Sequence, residues 1–209
     1  AGSIVTSGGF ALQDGLWVYN STKNGNGWRI YARNNSGNSR VMNIYAMCLH
    51  NSGGTTSDIL SQAQVEPNTW AHDEAICPTG SIVVGGGFIT SSYGYLELYS
   101  SSKSGNGWQT YVNNVTGMGR PFYTYAICLS GASGSTVHAS SGNIVPAGST
   151  AHGITACPGS SILTGGGFAI SKGLYVYFMN ATGNSWQNYV KNPLATNKTM
   201  ASGAICYSP

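Results

Sequence analysis

The stretch Gly105-Asn106-Gly107-Trp108-Gln109-Thr110-Tyr111 occurs three times in this chain in closely similar form. The other copies begin at Gly25 and Gly183, and a Val-Tyr or Leu-Tyr pair precedes the glycine in every copy. The tyrosine of that pair lies 12 positions before the final tyrosine, with the glycine at the midpoint. An element repeated with this spacing is a supersecondary unit, so the pattern predicts three equivalent β-hairpins.

Each hairpin belongs to a longer repeat. Each repeat begins with a related stretch that starts with Ser-Ile and ends with Gly-Gly-Phe. These stretches begin at Ser3, Ser81 and Ser161, at offsets of 78 and 80 residues. An Ala-x-Cys strand ends each repeat. The predicted repeats span residues 1–48, 77–128 and 157–206. Strand-bearing linkers join them over residues 49–76 and 129–156. The sequence therefore predicts a single domain, 1–209, with three internal repeats.

The patterning predicts an all-β fold. Short alternating apolar segments are separated by Gly, Asn and Ser clusters, without a sustained 3.6-residue period. Three four-stranded antiparallel units favour a pseudo-threefold, β-prism-like assembly, with a β-trefoil or tandem β-sandwiches as alternatives. Glycine runs such as Gly85–Gly87 indicate a β-bulge or close backbone packing, because the helix that a phosphate loop requires cannot be read after them.

The five cysteines indicate an oxidising compartment and a secreted protein. The chain start is interpreted as that of a mature or trimmed product. The predicted disulfides are Cys77–Cys128 and Cys157–Cys206, each joining the start of a repeat to its end. Cys48 then stays single, since its counterpart would come just before Ala1. Pairing across the linkers, Cys48–Cys77 and Cys128–Cys157, is equally regular at 29 residues each.

Composition argues against several functions. Only 7% of residues are charged and the net charge is +3 without a basic run, so no nucleic-acid partner is expected. No apolar stretch is long enough for membrane insertion. The six carboxylates do not recur at equivalent repeat positions, so we expect neither an enzyme nor a cofactor. His72 and His152 are equivalent, but Asp73 and Glu74 have no counterparts, so a packed or solvated histidine is expected rather than a metal site.

Alternation of side chains along the strands sorts each hairpin into two faces. Trp28, Trp108 and Trp186 fall on the apolar face and are predicted to anchor the core. The asparagine two residues before each tryptophan is predicted to take a positive φ in the turn. The outer face combines aromatic rings with amide and charged groups. Its candidate ligand-binding residues are Trp17, Tyr19, Arg29, Tyr31, Glu97, Tyr99, Gln109, Tyr111, Tyr175, Tyr177, Gln187 and Tyr189.

Flat rings beside short hydrogen-bonding groups suit a sugar, which offers a C–H face and hydroxyls. The leading hypothesis is a secreted, lectin-like protein with about one weak glycan site per repeat, acting by multivalency. The tyrosine pairs also have a purely structural interpretation, as ordinary cross-strand pairs. The alternative function is a structural or adhesive surface or matrix protein, assembled as a homo-oligomer through Cys48.

Repeats two and three in full, and repeat one without its opening cysteine, resemble a known repeat, most clearly in repeat three. Val145-Pro146-Ala147-Gly148 leads to Cys157-Pro158, then to Gly165-Gly166-Gly167-Phe168, and Ala204-Ile205-Cys206 closes the unit. This pattern resembles a repeat of secreted bacterial proteins to which no activity is attached. The resemblance implies secretion and disulfides and carries no expectation of catalysis. A looser similarity to threefold β-prism proteins, some of them lectins, agrees with the expected fold.

Overall fold

The computed structural model describes residues 2–50, 53–90 and 95–209, and its strands confirm an all-β protein. The first repeat forms β1 (Ser3–Leu12), β2 (Leu16–Asn24), β3 (Gly27–Asn34) and β4 (Met42–His50). The first linker forms β5 (Thr55–Val65) and β6 (Trp70–Ile76). The second repeat forms β7 (Ser81–Ile89), β8 (Leu96–Ser104), β9 (Gly107–Asn114) and β10 (Arg120–Ser130). The second linker forms β11 (Ser135–Val145) and β12 (Thr150–Ala156). The third repeat forms β13 (Ile162–Ile170), β14 (Tyr175–Thr182), β15 (Ser185–Lys191) and β16 (Lys198–Ser208). In these ranges no helix has the length and apolar character needed to cross a bilayer.

The strands form three antiparallel sheets built to one plan. Their strand orders are β12-β15-β14-β1-β4, β3-β2-β7-β10-β5 and β11-β16-β13-β8-β9-β6. In each sheet the hairpin of one repeat pairs with the first strand of the next repeat: β2 with β7, β8 with β13, and β14 with β1. The four strands of a repeat are therefore divided between two sheets. This exchange excludes independent tandem sandwiches and differs from the expected self-contained four-stranded units.

The predicted tryptophan anchors lie against glycines of the first strands. A Cβ added at Gly86 would lie 2.2 Å from the Trp108 ring, and the same distance separates such a Cβ at Gly166 from the Trp186 ring. Trp108 and Trp186 are 1% and 0% exposed, which confirms their core position. Only a residue without a side chain allows an indole ring to lie this close to a strand. Trp28 contacts Gly8 in the same way but is half-buried.

The neighbouring glycines bring the repeats together. A Cβ at Gly87 would lie 1.9 Å from the carbonyl oxygen of Ser21, on the hairpin of the first repeat. At Gly85 it would lie 2.0 Å from the carbonyl oxygen of Thr6, on the first strand of that repeat. The β7–β10 register shifts at this point, as a β-bulge requires. Both expected roles of the glycine run, bulge and close backbone packing, are confirmed.

Two disulfides join the two ends of repeats two and three. Cys77 bonds to Cys128 and Cys157 bonds to Cys206, as predicted, and the alternative pairing across the linkers is wrong. Cys48 is a free, exposed cysteine. The two intramolecular disulfides are compatible with an extracellular protein.

The turn asparagines have a different role from the predicted one. The positive φ of each hairpin turn belongs to Gly25, Gly105 and Gly183, with φ values of 59°, 51° and 57°. The Asn106 side chain instead bridges to the first strand of its repeat, accepting from the Val83 backbone N–H at 3.0 Å and donating to the Ser81 carbonyl at 2.9 Å. Asn26 and Asn184 make the same pair of bonds in the other repeats. These asparagines therefore fasten each hairpin to its own repeat.

Gly86→Ala tests the glycine–tryptophan contact. The added methyl group overlaps the buried Trp108 ring, so we expect the free energy of unfolding to fall by about 1–3 kcal/mol. The matched control is Gly117→Ala in the same repeat, where an added Cβ meets open space and a change within about 0.5 kcal/mol is expected. Urea denaturation of both variants makes the comparison, and equal stabilities would contradict the packing role of Gly86.

Candidate functional site

Two neighbouring cavities lie where the first hairpin strands begin. The first, here called the central cavity, has a volume of about 120 Å³. Its lining is Phe10, Leu16, Trp17, Val18, Tyr19, Arg33, Asn35, Thr90, Leu96, Glu97, Leu98, Tyr99, Phe168, Gly173, Leu174, Tyr175 and Val176. The second, here called the side cavity, has a volume of about 560 Å³. Its lining is Leu12, Gln13, Asp14, Gly15, Leu16, Trp17, Thr150, Tyr175, Val176, Tyr177 and Lys191.

The central cavity collects equivalent segments from all three repeats. Residues 16–19, 96–99 and 174–176 each begin a hairpin, and each contributes to the lining. Strand exchange between repeats brings these starts together. The second residue of this segment differs among the repeats and is Trp17, Glu97 or Tyr175. It therefore supplies an indole, a carboxylate and a phenol to one cavity. Six predicted site residues line one or both cavities: Trp17, Tyr19, Glu97, Tyr99, Tyr175 and Tyr177.

An aromatic pair separates the two cavities. Trp17 of β2 and Tyr175 of β14 have ring centroids 4.6 Å apart, with their planes tilted by 60°. Both residues line both cavities. Trp17 is 42% exposed, so the ring is only partly used in packing. A partly exposed indole beside a phenol presents a flat apolar surface to a ligand on either side.

Glu97 organises the polar side of the central cavity. Its Oε2 accepts a hydrogen bond from the Tyr99 hydroxyl at 2.7 Å and another from the Asn113 amide at 3.0 Å. Burial raises the pKa of Tyr99 above its usual value, and the bond to Glu97 raises it further. The phenol therefore remains a donor at neutral pH and holds the carboxylate in place. Glu97 thus places a carboxylate at the cavity wall, with Oε2 fixed by these two donors.

An ion pair lies at the rim of the side cavity. Lys191 Nζ and Asp14 Oδ2 are 2.8 Å apart. The hydrogen bond that Lys191 donates and its charge lower the pKa of Asp14, while donation to Asp14 raises the pKa of Lys191. Both groups therefore carry full charge at neutral pH. Since the pair is exposed, its contribution is to orient polar groups rather than to stabilise the fold.

The outer tyrosine faces differ among the repeats. In every hairpin a bulge at the first tyrosine moves the register, so the expected direct tyrosine pairing is wrong: Tyr31 pairs with Asn20, Tyr111 with Ser100 and Tyr189 with Phe178. In repeat one the Tyr19 and Tyr31 rings stack diagonally at 5.9 Å. Tyr31 is 46% exposed. In the other two repeats a linker histidine stacks on the equivalent ring: His72 on Tyr111 at 4.9 Å and His152 on Tyr189 at 5.2 Å. The sequence predicted a packed or a solvated histidine at these positions, and both histidines pack on tyrosines.

The remaining predicted residues lie outside both cavities. The Arg29 guanidinium lies 5.4 Å from the Tyr31 ring centroid. Gln109 donates to Ser102 Oγ at 3.4 Å within its own hairpin. Gln187, Tyr111 and Tyr189 pair with linker strands at sheet edges. These side chains belong to the hairpin surfaces and not to the composite site.

Sequence reasoning missed the loop residues of the side cavity. Gln13 and Asp14 follow β1, whereas Thr150 begins β12, so more than 130 residues separate them in the chain. They meet because β14 pairs with β1, which brings the third repeat against the first. The segments equivalent to residues 13–15 in the other repeats, 91–94 and 171–173, contain no carboxylate, so the repeat pattern contains no signal for the Asp14–Lys191 pair.

No protein-family model matches this chain, and no curated protein matches it in sequence. The resemblance to secreted bacterial repeats therefore stays a prediction. In the described ranges no three His, Cys, Asp or Glu side chains are grouped as a metal ion would require.

Glu97→Gln tests the polar arrangement of the central cavity. Removing the charge and the anionic acceptor makes ionisation of the Tyr99 phenol easier, so its pKa should fall. It should stay above the usual tyrosine value, because burial is the larger cause. Tyrosine-ring NMR during an alkaline titration measures the change. Glu74→Gln, at an exposed carboxylate, is the control, and an unchanged Tyr99 pKa in Glu97→Gln would contradict the contact.

Proposed function

We propose that this protein binds carbohydrate, in the manner of a lectin, with its main site at the central and side cavities. The observation that carries the proposal is the Trp17–Tyr175 pair, a partly exposed aromatic wall between two cavities. Sugar rings stack their C–H faces on such surfaces, while their hydroxyls require hydrogen-bonding groups at the edges. The combination makes a glycan the best-matched ligand class.

The polar groups around the wall support the same ligand class. Glu97, Asn35 and Tyr99 border the central cavity, and Gln13, Asp14 and Thr150 border the side cavity. Carboxylate and amide oxygens accept hydrogen bonds from sugar hydroxyls and so fix the positions of those hydroxyls. The side cavity, at about 560 Å³, falls within the size range of small-molecule sites. The central cavity, at about 120 Å³, is smaller than this range and suits a substituent of the bound sugar rather than a second ring.

Instead of one weak glycan site in every repeat, we propose one secondary glycan contact, in repeat one. The Tyr19–Tyr31 stack is the outer face with an exposed return-strand ring, so a secondary glycan contact is proposed there. In repeats two and three the stacked histidines leave less ring surface for a ligand. A second weak contact on the same molecule would raise avidity without new contacts at the main site.

We further propose a β-prism-like, pseudo-threefold assembly for the three sheets, and secretion for the protein. Three sheets of one plan and mutual contacts of β1, β7 and β13 support the assembly. Two intramolecular disulfides and low charge support export. The alternative function, a structural or adhesive protein linked through Cys48, is favoured by the exposure of that thiol.

A glycan array with the intact chain, followed by calorimetry with the best-bound glycan, tests the proposal. Trp17→Ala and Tyr175→Ala should each weaken binding at least tenfold, which corresponds to about 1.4 kcal/mol. The matched control is Trp70→Ala, since Trp70 is 71% exposed on β6 and lies outside both cavities. Near-ultraviolet circular dichroism verifies that each variant is folded.

Three outcomes would count against the proposal. A folded chain that binds no glycan on the array would overturn carbohydrate binding, and a Cys48-linked oligomer in that sample would favour the structural alternative. Undiminished binding by Trp17→Ala and Tyr175→Ala would remove the cavities as the main site. Loss of binding in Tyr31→Ala alone would transfer the main site to the outer face of repeat one.

A further inference from the structure

The two linkers act as arms that cover the sheet edges of the repeats that follow them. Arm one, residues 53–76, pairs β5 with the closing strand β10 and β6 with the hairpin strand β9 of repeat two. Arm two, residues 131–156, pairs β11 with β16 and β12 with β15 of repeat three. In repeat one the corresponding strands β4 and β3 stand at the ends of their sheets. Their outer edges are here called the open flank.

Side-chain exposure on the open flank departs from that of its equivalents. Met42 of β4 is 40% exposed, whereas its counterparts Phe122 and Met200 are 0% and 3% exposed. Ile44 is 44% exposed, whereas the equivalent Thr124 is fully buried. A run of exposed apolar side chains along an unpaired strand edge is a template for a further strand. The two covered repeats identify what kind of segment pairs there.

On the hairpin side of the open flank an aromatic ring is left uncovered. Tyr31 is 46% exposed on β3. In the covered repeats the equivalent rings, Tyr111 and Tyr189, are stacked under the arm histidines His72 and His152. The open flank thus presents an uncovered ring at the position where each arm supplies an imidazole.

In repeat one, Cys48 has the same position in the strand pairing as the disulfide cysteines Cys128 and Cys206. Val5 pairs with Cys48 across β1 and β4, as Val83 pairs with Cys128 and Leu163 with Cys206. In repeat two the Cys77 backbone N–H donates to the Asn106 carbonyl at 3.0 Å, directly beside the side-chain bonds of that asparagine. Cys157 donates to Asn184 in the same way. Asn26 makes the equivalent side-chain bonds, so the anchor for a third arm is formed.

We propose that the open flank is the docking surface for a third two-stranded arm, joined to the amino end of β1. One strand of this arm pairs with β4 and the other with β3. The arm carries a histidine that stacks on Tyr31, so the secondary glycan contact proposed there belongs to the chain without this arm. It also carries a cysteine four residues before Ser3 that forms a disulfide with Cys48, because Cys77 and Cys157 lie four residues before Ser81 and Ser161.

The covalent step is an ordinary thiol–disulfide exchange. The thiol of Cys48 and the thiol of the arm cysteine lose two protons and two electrons as the S–S bond forms, and a low-molecular-weight disulfide such as oxidised glutathione is reduced to two thiols. A second copy of this chain is a poorer occupant, since its two arms already pair within its own repeats. A direct β4–β4 contact between two copies would also leave β3 and Tyr31 uncovered.

Grafting an arm onto the chain tests the proposal. Residues 53–80 are fused in front of Ser3 in place of residues 1–2, which puts the copy of Cys77 four residues before Ser3. Arm one is chosen because residues 40–50 resemble β10, with Arg40, Tyr45 and Leu49 matching Arg120, Tyr125 and Leu129. After refolding in a glutathione buffer, thiol titration should fall from one free thiol to none, and peptide mapping should recover the graft cysteine bonded to Cys48.

Two controls separate docking from disulfide formation. Changing the graft cysteine to serine should leave Cys48 free while β4 amides still exchange hydrogen at least tenfold more slowly than in the ungrafted chain. The two native disulfides in the peptide map verify that each variant has folded. If a grafted variant does not fold, a synthetic peptide of residues 53–80, added to the unmodified chain in the same buffer, should form a mixed disulfide at Cys48.

Three results would overturn the proposal of a third arm. A folded grafted chain with both thiols free and unprotected β4 amides would overturn the proposal. A Cys48–Cys48 dimer that forms to the same extent with and without the graft would also overturn it, in favour of a second copy. Failure of the peptide to bond to Cys48 would overturn it if the grafted chain does not fold.

Discussion

The absence of a side chain at a few first-strand positions is the constraint on which this structure depends. The Trp108 ring occupies the space beside Gly86, and the backbone of Ser21 occupies the space beside Gly87. The first contact fixes a hairpin on its own repeat, and the second fixes that repeat to its neighbour. Any larger residue would separate these layers, because interiors packed to this density have no room to adjust.

Strand exchange follows from these close approaches and determines where function can arise. Since β14 of the last repeat pairs with β1 of the first, the chain closes on itself, and the three hairpin starts surround one cavity. Sequence differences between repeats at this position determine which side chains line the cavity. Trp17, Glu97 and Tyr175 therefore line one cavity that no single repeat could form, and the two arms cover the return-strand tyrosines of repeats two and three.

The local features of the fold could be predicted from the sequence. Turn glycines, alternating faces and cysteines at the ends of the repeats predicted the hairpins, the buried Trp108 and Trp186, and both disulfides, because each depends on a position that recurs within the repeat. The exchange of hairpins between repeats and the convergence at the cavities could not be predicted, since they depend on backbone contacts between distant segments. Asn106 shows the same limit: its residue type suits a turn, but its side chain is used 25 residues away at Ser81.

Closure of the chain through the first and last repeats is the central claim, and NMR tests it most directly. Nuclear Overhauser effects should connect the backbone of Phe10 and Ala11 with that of Met179 and Phe178, their partners in the β1–β14 pair. Effects that instead connect β14 with β13 of its own repeat, with none to β1, would contradict strand exchange and the composite site built on it.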